Sequence, residues 1–319
     1  MDVKTYQALG LDVPWEDLHA RGYQVNGRAI SDIDESLATV GDVHYHPCPE
    51  AQTSGDLEGE IHTYEQWNQG EVFAGTQRKI SVYLPPSGYG DEPLSVLVFN
   101  DGEAYRSDRG PVRVPRVLEY LLKQGELRPT AAVFVMPGVP EKAALESDKQ
   151  VRYHLAHRQR SFEYDSCTPL YGEFLVRDVL PFVQRELQVE FTSDPARRGV
   201  CGISSGGMCA FNAAWYFPGQ FARVISHCGS FTNIRGANNY PYLIRSTPRK
   251  PLRVFLQSGE RDANIVTGSW PLANQQMADA LAYAGYDHRF EFGTGGHNLR
   301  HAGATFADTL RWIFSSRKS

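Results

Sequence analysis

Gly199-Val200-Cys201-Gly202-Ile203-Ser204-Ser205-Gly206-Gly207 is the stretch around which the rest of the chain is organised. An apolar run at 198–201 is typical of a buried strand, and a helical pattern follows at 208–217. The segment 202–206 between them matches G-x-S-x-G, a sharp strand-to-helix turn that lifts a serine hydroxyl above a sheet. Such a turn strains the backbone, and its two glycines leave room for it. The stretch therefore predicts a nucleophile elbow with Ser204 as the nucleophile; the alternative is a glycine-rich turn without chemistry.

Two further side chains would complete such a site, because a serine hydroxyl is a poor nucleophile without a base and an orienting acid. The expected order along the chain is Ser, then Asp or Glu, then His. Asp262 follows the predicted strand at 252–257 and is the predicted acid, with Glu260 as the alternative. His297 lies on a glycine-rich loop after the last predicted strand and is the predicted base, in preference to His301.

An oxyanion that develops at this serine would need two backbone N–H donors. One is expected from Ser205, the residue after the nucleophile, and the other from the loop after an early strand. Asn100-Asp101-Gly102-Glu103 follows the apolar run at 94–99, and its glycine permits an unusual turn. The N–H of Gly102 or of Glu103 is therefore the predicted second donor, although these residues also suit an ordinary Asp-Gly turn.

Strands and helices alternate from residue 77 onward, which predicts an α/β fold with a mostly parallel central sheet and helices on both faces. The predicted strands are 79–84, 94–99, 131–136, 198–201, 223–227, 252–257 and 289–292. The predicted helices are 115–123, 171–187 with a kink at Pro181, 208–217, 272–283, and a closing helix whose inner face carries Phe306, Leu310 and Ile313.

Residues 1–75 differ from the rest, because proline, glycine and charged residues interrupt short apolar pieces. We predict a short irregular N-terminal extension, 1–75, packed on an α/β catalytic domain, 76–319. Strands are predicted within the extension at 39–45 and 59–67. His44-Tyr45-His46-Pro47-Cys48 would place three metal-ligand types on one strand face. Its proline interrupts the strand and no fourth ligand is evident, so no metal site is predicted.

Composition narrows the classes of function. The 319 residues are 41% hydrophobic, enough for a sizeable core, and the net charge is −5 with no long run of either sign. No nucleic-acid interface and no membrane contact are therefore predicted. The five cysteines show no C-x-x-C pairing, and Met1-Asp2-Val3-Lys4 does not begin a secretory leader. A reducing, cytoplasmic location is expected, with an exported form trimmed of its leader as the alternative.

Taken together, these motifs resemble the enterochelin-esterase-like branch of the α/β-hydrolases over about 76–314. The similar stretches are the opening strand at 78–85, the oxyanion loop at 98–103, Arg158-Gln159-Arg160-Ser161-Phe162-Glu163-Tyr164-Asp165 as an R-x-R-x-x-E-Y-type loop, the elbow at 202–207, and the histidine loop at 295–297. Mycobacterial mycolyltransferases have a similar D-G-x loop in which the residue after the glycine donates its N–H. That resemblance favours Glu103 as the second donor.

The resemblance implies a serine esterase that acts through an acyl-enzyme on a small-molecule ester and needs no cofactor. Asp101, Arg158, Arg160, Tyr105 and Phe231 are the predicted substrate contacts, and the two arginines alternatively brace their own loop through Glu163 or Asp165. Phe162, Tyr164 and Trp270 are further aromatic residues expected on loops near the site. They would suit an aromatic, siderophore-like or sugar ester, or else fill the interface with the extension. An acyltransferase, a lactonase and a catalytically silent binding protein are the alternative functions, and a homo-oligomer is an open possibility.

Overall fold

A central sheet forms the body of the protein in the computed structural model, which describes residues 24–25, 28–29, 40–89 and 92–315. Its main strands are β1 (Glu60–Trp67), β2 (Thr76–Leu84), β3 (Ser95–Asn100), β4 (Thr130–Val135), β5 (Arg198–Ile203), β6 (Arg223–His227), β7 (Arg253–Arg261) and β8 (Asp287–Gly296). They lie in the order β8-β7-β6-β5-β3-β4-β2-β1. Strands β3 to β8 pair in parallel, whereas β2 runs antiparallel to both β4 and β1. The predicted α/β class and mostly parallel sheet are confirmed.

Three short pairings complete the strands. Val139–Pro140 pairs with the start of β2, Gln24–Val25 pairs with Arg28–Ala29, and Asn264–Ile265 pairs with Gly268–Ser269.

Helices cover both faces of the sheet. They are α1 (Gly102–Arg106), α2 (Val114–Lys123), α3 (Glu141–Ala144), α4 (Lys149–Asp165), α5 (Leu170–Phe174), α6 (Leu180–Leu187), α7 (Ser205–Tyr216), α8 (Tyr240–Ser246), α9 (Trp270–Tyr283) and α10 (Arg300–Phe314). Single turns of 3-10 helix lie at Pro49–Gln52, Pro195–Arg197 and Ala237–Asn239. Within the described residues, no helix is both long and apolar enough to cross a bilayer.

The central strands are apolar on both sides because each faces a hydrophobic core. In β3 the side chains of Val96 and Val98 enter the core formed with α5 to α9, and Leu97 and Phe99 enter the core formed with α2 and α10. Every residue of β3 and β4 is buried. The inner face predicted for the closing helix is confirmed, since its three apolar residues are fully buried in α10.

Three local predictions differ from the structure. Residues 40–42 are helical, so the strand predicted at 39–45 is wrong for the part that the structure describes; residue 39 lies outside it. The R-x-R-x-x-E-Y-type loop is helical and closes α4. The helix predicted at 171–187 is present, but it passes through a π-helical turn, Leu175–Val179, just before Pro181. Proline lacks the N–H that an α-helix would donate there, which accounts for an irregular turn at this point.

The sheet crosses the boundary predicted at residue 75. The strand predicted at 59–67 is confirmed as β1, and it pairs with β2 at the edge of the main sheet. The part of the predicted extension at Glu60–Trp67 is therefore an edge strand of the sheet. The division into 1–75 and 76–319 stays a prediction.

Candidate active site

Ser204 lies between the end of β5 and the start of α7, where the elbow was predicted. Its backbone has φ 58° and ψ −127°, a strained conformation for a residue with a side chain. Its N–H donates to the His227 carbonyl at 3.0 Å, which ties the turn to the neighbouring strand. A Cβ atom at residue 202 would lie 2.3 Å from the Gly206 carbonyl oxygen, so only glycine allows this turn to close. The first glycine of G-x-S-x-G is thus a packing requirement of the turn, whereas a Cβ at residue 206 would make a tight contact of 3.1 Å with Asn100 Cβ.

His297 stands between the predicted nucleophile and the predicted acid. Its Nε2 lies 2.9 Å from Ser204 Oγ, and its Nδ1 lies 2.5 Å from Asp262 Oδ1. An ionised carboxylate only accepts hydrogen bonds, so Nδ1 carries the proton and Nε2 is left as an acceptor for the serine hydroxyl. The structure therefore brings the three predicted side chains into one hydrogen-bonded line.

Asp262 is held as an ionised carboxylate. Burial alone would raise the pKa of this carboxyl, but the nearby His297 and the hydrogen bonds from His297, Ser258 and the Ala263 N–H outweigh burial and lower the pKa. Ser258 Oγ donates to Oδ2 at 2.6 Å and the Ala263 N–H donates to Oδ1 at 2.7 Å. The alternative acid, Glu260, is exposed and lies within 3.9 Å of Arg261.

Two residues beside the serine complete its surroundings. Ser230 Oγ lies 3.2 Å from Ser204 Oγ and accepts a hydrogen bond from Trp270 Nε1 at 3.2 Å. The Trp270 ring meets the His297 ring edge-on at 5.7 Å between centroids. Trp270 begins α9 and is buried, which corrects its predicted place on a loop. The sequence analysis missed Ser230, because a single serine after a strand has no local signature.

Two helix N-termini carry the predicted oxyanion donors. Ser205 is the first residue of α7, and Gly102 and Glu103 begin α1, so their N–H groups have no partner within their own helices. Asn100 joins the two helices, since its Nδ2 donates to the Gly206 carbonyl at 2.8 Å. Both predicted donors thus lie at helix N-termini, where the dipole also favours a negative charge.

The Glu103 side chain itself points to a cluster of cations. It accepts hydrogen bonds from Arg106 at 2.8 Å and from Ser81 at 3.1 Å, and lies 3.3 Å from Lys79. Burial would raise the pKa of this carboxyl, but the hydrogen bonds and charges of these neighbours lower it to about 2. Only the backbone of Glu103 is therefore suited to a role at the oxyanion.

The predicted substrate contacts fall into two groups. Arg160 donates two hydrogen bonds to Asp101, at 3.0 and 2.7 Å, so these two residues hold each other. Asp101 is the left-handed residue that precedes α1, with φ 51°. The pair therefore braces the start of α1, while Arg158 is exposed on α4. Glu163, one of the two alternative braces for these arginines, pairs instead with Arg78 at 2.6 Å.

Tyr105 and Phe231 are corrections to the prediction. Tyr105 is fully buried and packs on Phe99. Its hydroxyl group forms a hydrogen bond with His227 Nδ1 at 2.8 Å. Phe231 is 1% exposed and packs edge-on against Phe211. Both are core residues because the segments that carry them turn back into the protein. Tyr164 is also fully buried, whereas Phe162 is exposed on the outside of α4.

Only one cluster of three metal-ligand types occurs among the described residues, and it overlaps the hydrogen-bonded line. Cys228, Asp262 and His297 offer ligand atoms within 4.8 Å of one another. Burial raises the pKa of the Cys228 thiol well above its usual range, with Asp262 adding to the shift. A neutral buried thiol is a poor metal ligand, so the cluster fits a packing role for this cysteine. Residues 44–48 do not form a strand, so the two histidines and the cysteine in this segment are not aligned on one strand face.

A cleft of about 820 Å³ is lined by residues next to Ser204 and His297 in the chain. Its floor includes Ile203, which precedes the serine, and Leu299, which follows the histidine loop. Ala104 in α1 and Ser107 directly after it also line it, as do Val43, Tyr45 and residues 46–47. The cleft therefore adjoins the hydrogen-bonded line through the neighbours of Ser204 and His297, which do not themselves line it.

The chain matches a family model described as "Putative esterase" over residues 72–313. It is similar to the Iron(III) enterobactin esterase of Dickeya dadantii, with 30% identity over 256 residues, which cover 75% of this chain and 52% of that protein. It is also similar to the Iron(III) salmochelin esterase of Escherichia coli O6:H1, with 23% identity over 264 residues, which cover 78% and 57%. The chain thus spans about half the length of these curated relatives.

Solved structures show the same fold. The enterobactin esterase FES from Shigella flexneri, in the presence of enterobactin, gives a TM-score of 0.63 at 20% identity and covers 84% of this chain and 62% of that chain. A ferulic acid esterase gives 0.59 at 16% identity and covers 80% and 98%. The predicted α/β-hydrolase fold is confirmed.

Proposed function

Because the chain belongs to the esterase family whose model it matches over residues 72–313, we propose that it hydrolyses carboxylic esters with Ser204 as nucleophile, His297 as base and Asp262 as orienting acid. The observation that carries the proposal is the hydrogen-bonded line from Ser204 Oγ through His297 to Asp262, with distances of 2.9 and 2.5 Å. This arrangement suits nucleophilic attack, since each group is within reach of the proton that it must take or hold.

The reaction proceeds in two halves. His297 Nε2 takes the hydroxyl proton while Ser204 Oγ attacks the ester carbonyl carbon, and Asp262 stabilises the imidazolium that forms. The carbonyl oxygen becomes an oxyanion that accepts hydrogen bonds from the N–H groups of Ser205 and Glu103. The C–O bond breaks, and the leaving alkoxide takes the proton from His297. Water, with His297 again as base, then attacks the acyl-enzyme and releases the acid.

We infer that the substrate is an aromatic or siderophore-like ester held in the cleft beside Ser204. The names of the curated relatives, two siderophore esterases, support this class, and so does the cleft volume of about 820 Å³. Ala104→Trp would fill the cleft from α1, so we expect it to raise KM for enterobactin or methyl ferulate and to spare p-nitrophenyl acetate. If Ala104→Trp changed KM equally for all three substrates, the two larger substrates would not be bound in this cleft.

Replacement of the serine tests the chemistry. We expect Ser204→Ala to lower kcat for p-nitrophenyl acetate on the order of 10⁶-fold, and to abolish labelling by a fluorophosphonate. Ser246→Ala, at an exposed position at the end of α8, is the matched control and should behave as the wild type. Undiminished turnover in the Ser204 variant would refute the proposal. An alcohol added to the assay separates hydrolysis from acyl transfer, because a transferase would yield the new ester as its main product.

A cytoplasmic setting is part of the proposal. All five cysteines are free thiols, and four of them are buried, which suits a reducing compartment.

A further inference from the structure

The segment 41–47 packs directly on the loop that carries His297, although about 250 residues separate them. Thr294 Oγ1 donates to the Gly41 carbonyl at 2.9 Å, and the Thr294 N–H donates to the Tyr45 hydroxyl at 3.2 Å. The Tyr45 ring stacks on His301 at 4.3 Å with an angle of 11°. We call this segment, residues 41–47, the bracing segment.

Asp42 is its most deeply buried charged residue, at 1% exposure. Its Oδ2 accepts hydrogen bonds from the Gly296 N–H at 3.2 Å and from Asn298 Nδ2 at 2.5 Å. These two residues immediately precede and follow His297. Within the part of the chain that the structure describes, Oδ1 is buried without a hydrogen-bond partner. A Cβ atom at residue 295 would lie 2.3 Å from that oxygen, so Gly295 admits the carboxylate against the loop.

A buried carboxylate with one unsatisfied oxygen is costly to the folded state. The charge-assisted hydrogen bonds of Asp42 hold the Gly296 backbone on one side of His297 and the Asn298 side chain on the other. Asp262 fixes the rotation of the His297 ring, but it does not fix the loop from which the ring projects. Asp42 supplies that second constraint.

We propose that Asp42 is a positioning residue for the reaction, which holds the His297 loop so that Nε2 points at Ser204. The inference rests on the proposed function, in which His297 is the base. A displacement of about 1 Å in a catalytic group is enough to lower a rate by roughly 10²-fold. The residue lies upstream of the region that the family model matches, residues 72–313, so the family match does not assign it a role.

The test compares Asp42→Ala, Asp42→Asn and a control. We expect Asp42→Ala to lower kcat for p-nitrophenyl acetate by about 10- to 100-fold with little change in KM. Asp42→Asn keeps an acceptor oxygen and should recover part of the loss. Val40→Ala, on a side chain that is 64% exposed and lies outside the bracing segment, is the control and should match the wild type. A folded Asp42→Ala variant with wild-type kcat, or one altered only in KM, would overturn the inference.

A second readout needs no substrate. The Nδ1 proton of His297, shared with Asp262, should give a far-downfield ¹H NMR resonance that disappears in His297→Ala. We expect this resonance to persist in Val40→Ala and to broaden or vanish in Asp42→Ala, with Asn298→Ala intermediate. If Asp42→Ala does not fold, Asp42→Asn and Asn298→Ala carry the test. If the wild type cleaves no ester, the proposed function fails, and an unchanged resonance in the Asp42 variants would separately refute positioning.

Discussion

Gly102→Ala should disable the proposed oxyanion site without touching any side chain of the hydrogen-bonded line. A Cβ atom at residue 102 would lie 2.5 Å from Phe134 Cα and Cβ, and 2.7 Å from its carbonyl carbon. Carbon atoms in contact normally lie about 3.5–4.0 Å apart, so α1 must move away from β4 by about 1 Å. The start of α1 holds the N–H of Glu103, which is a donor to the oxyanion in the proposed mechanism.

The expected loss follows from that displacement. Removal of one oxyanion donor costs about 3–4 kcal/mol, or 10²- to 10³-fold in kcat. Overpacking against β4 should also cost about 1–3 kcal/mol of the free energy of unfolding. The two effects can be measured separately, because kcat per folded molecule reports the loss of the oxyanion donor and not the loss in the free energy of unfolding.

The assay measures kcat with p-nitrophenyl acetate after thermal unfolding has established the folded fraction. Gly219→Ala is the matched control, because no atom lies within 4 Å of the added Cβ in that exposed turn. It should keep full activity. A folded Gly102→Ala protein whose kcat stays within about threefold of wild type would show that the N-terminus of α1 is not an oxyanion donor.

Three further predictions concern the supports of the site. Arg160→Lys loses the two-pronged contact with Asp101 and should lower kcat about tenfold, whereas an unchanged kcat would show that the pair is dispensable. Glu163→Gln leaves the Arg78 guanidinium buried and uncompensated, so urea unfolding should show a loss of about 3–5 kcal/mol; a loss below about 1 kcal/mol would contradict this. Burial lowers the pKa of His227 to about 3, so as the pH falls the unfolded state binds this proton before the folded state does. The free energy of unfolding should therefore decrease as the pH drops from about 6.5 toward 3, by up to about 1.4 kcal/mol per pH unit. His227→Asn should flatten that part of the pH profile of unfolding, and an unaltered slope would exclude the histidine as its source.

Much of the site could be predicted because its constraints are local. The elbow needs two glycines around Ser204, and the base and acid each follow a strand whose apolar run is visible in the sequence. The parallel order of the strands then brings their carboxyl ends to one edge. For this reason Ser204, Asp262 and His297 could be named before any contact was known.

The remaining errors arise where tertiary contacts override local pattern. Tyr105 and Phe231 follow strands, as loop residues near a site would, but nothing local shows that their segments turn into the core. Helix α4 is strongly polar, so no apolar stripe marks it as a helix. Asp42 has no sequence signature at all, because its partners lie about 250 residues away.

That distance has a practical consequence for anyone who shortens this chain. A fragment cut to the recognisable family region, residues 72–313, would keep the serine, the imidazole and its carboxylate, and would discard β1 together with Asp42. If Asp42 positions the proposed base, activity assays and crystallisation trials restricted to that fragment would sample a protein whose His297 loop has lost one of its supports. On that proposal, weak turnover in such a fragment would reflect the place of the cut and not the chemistry of the family.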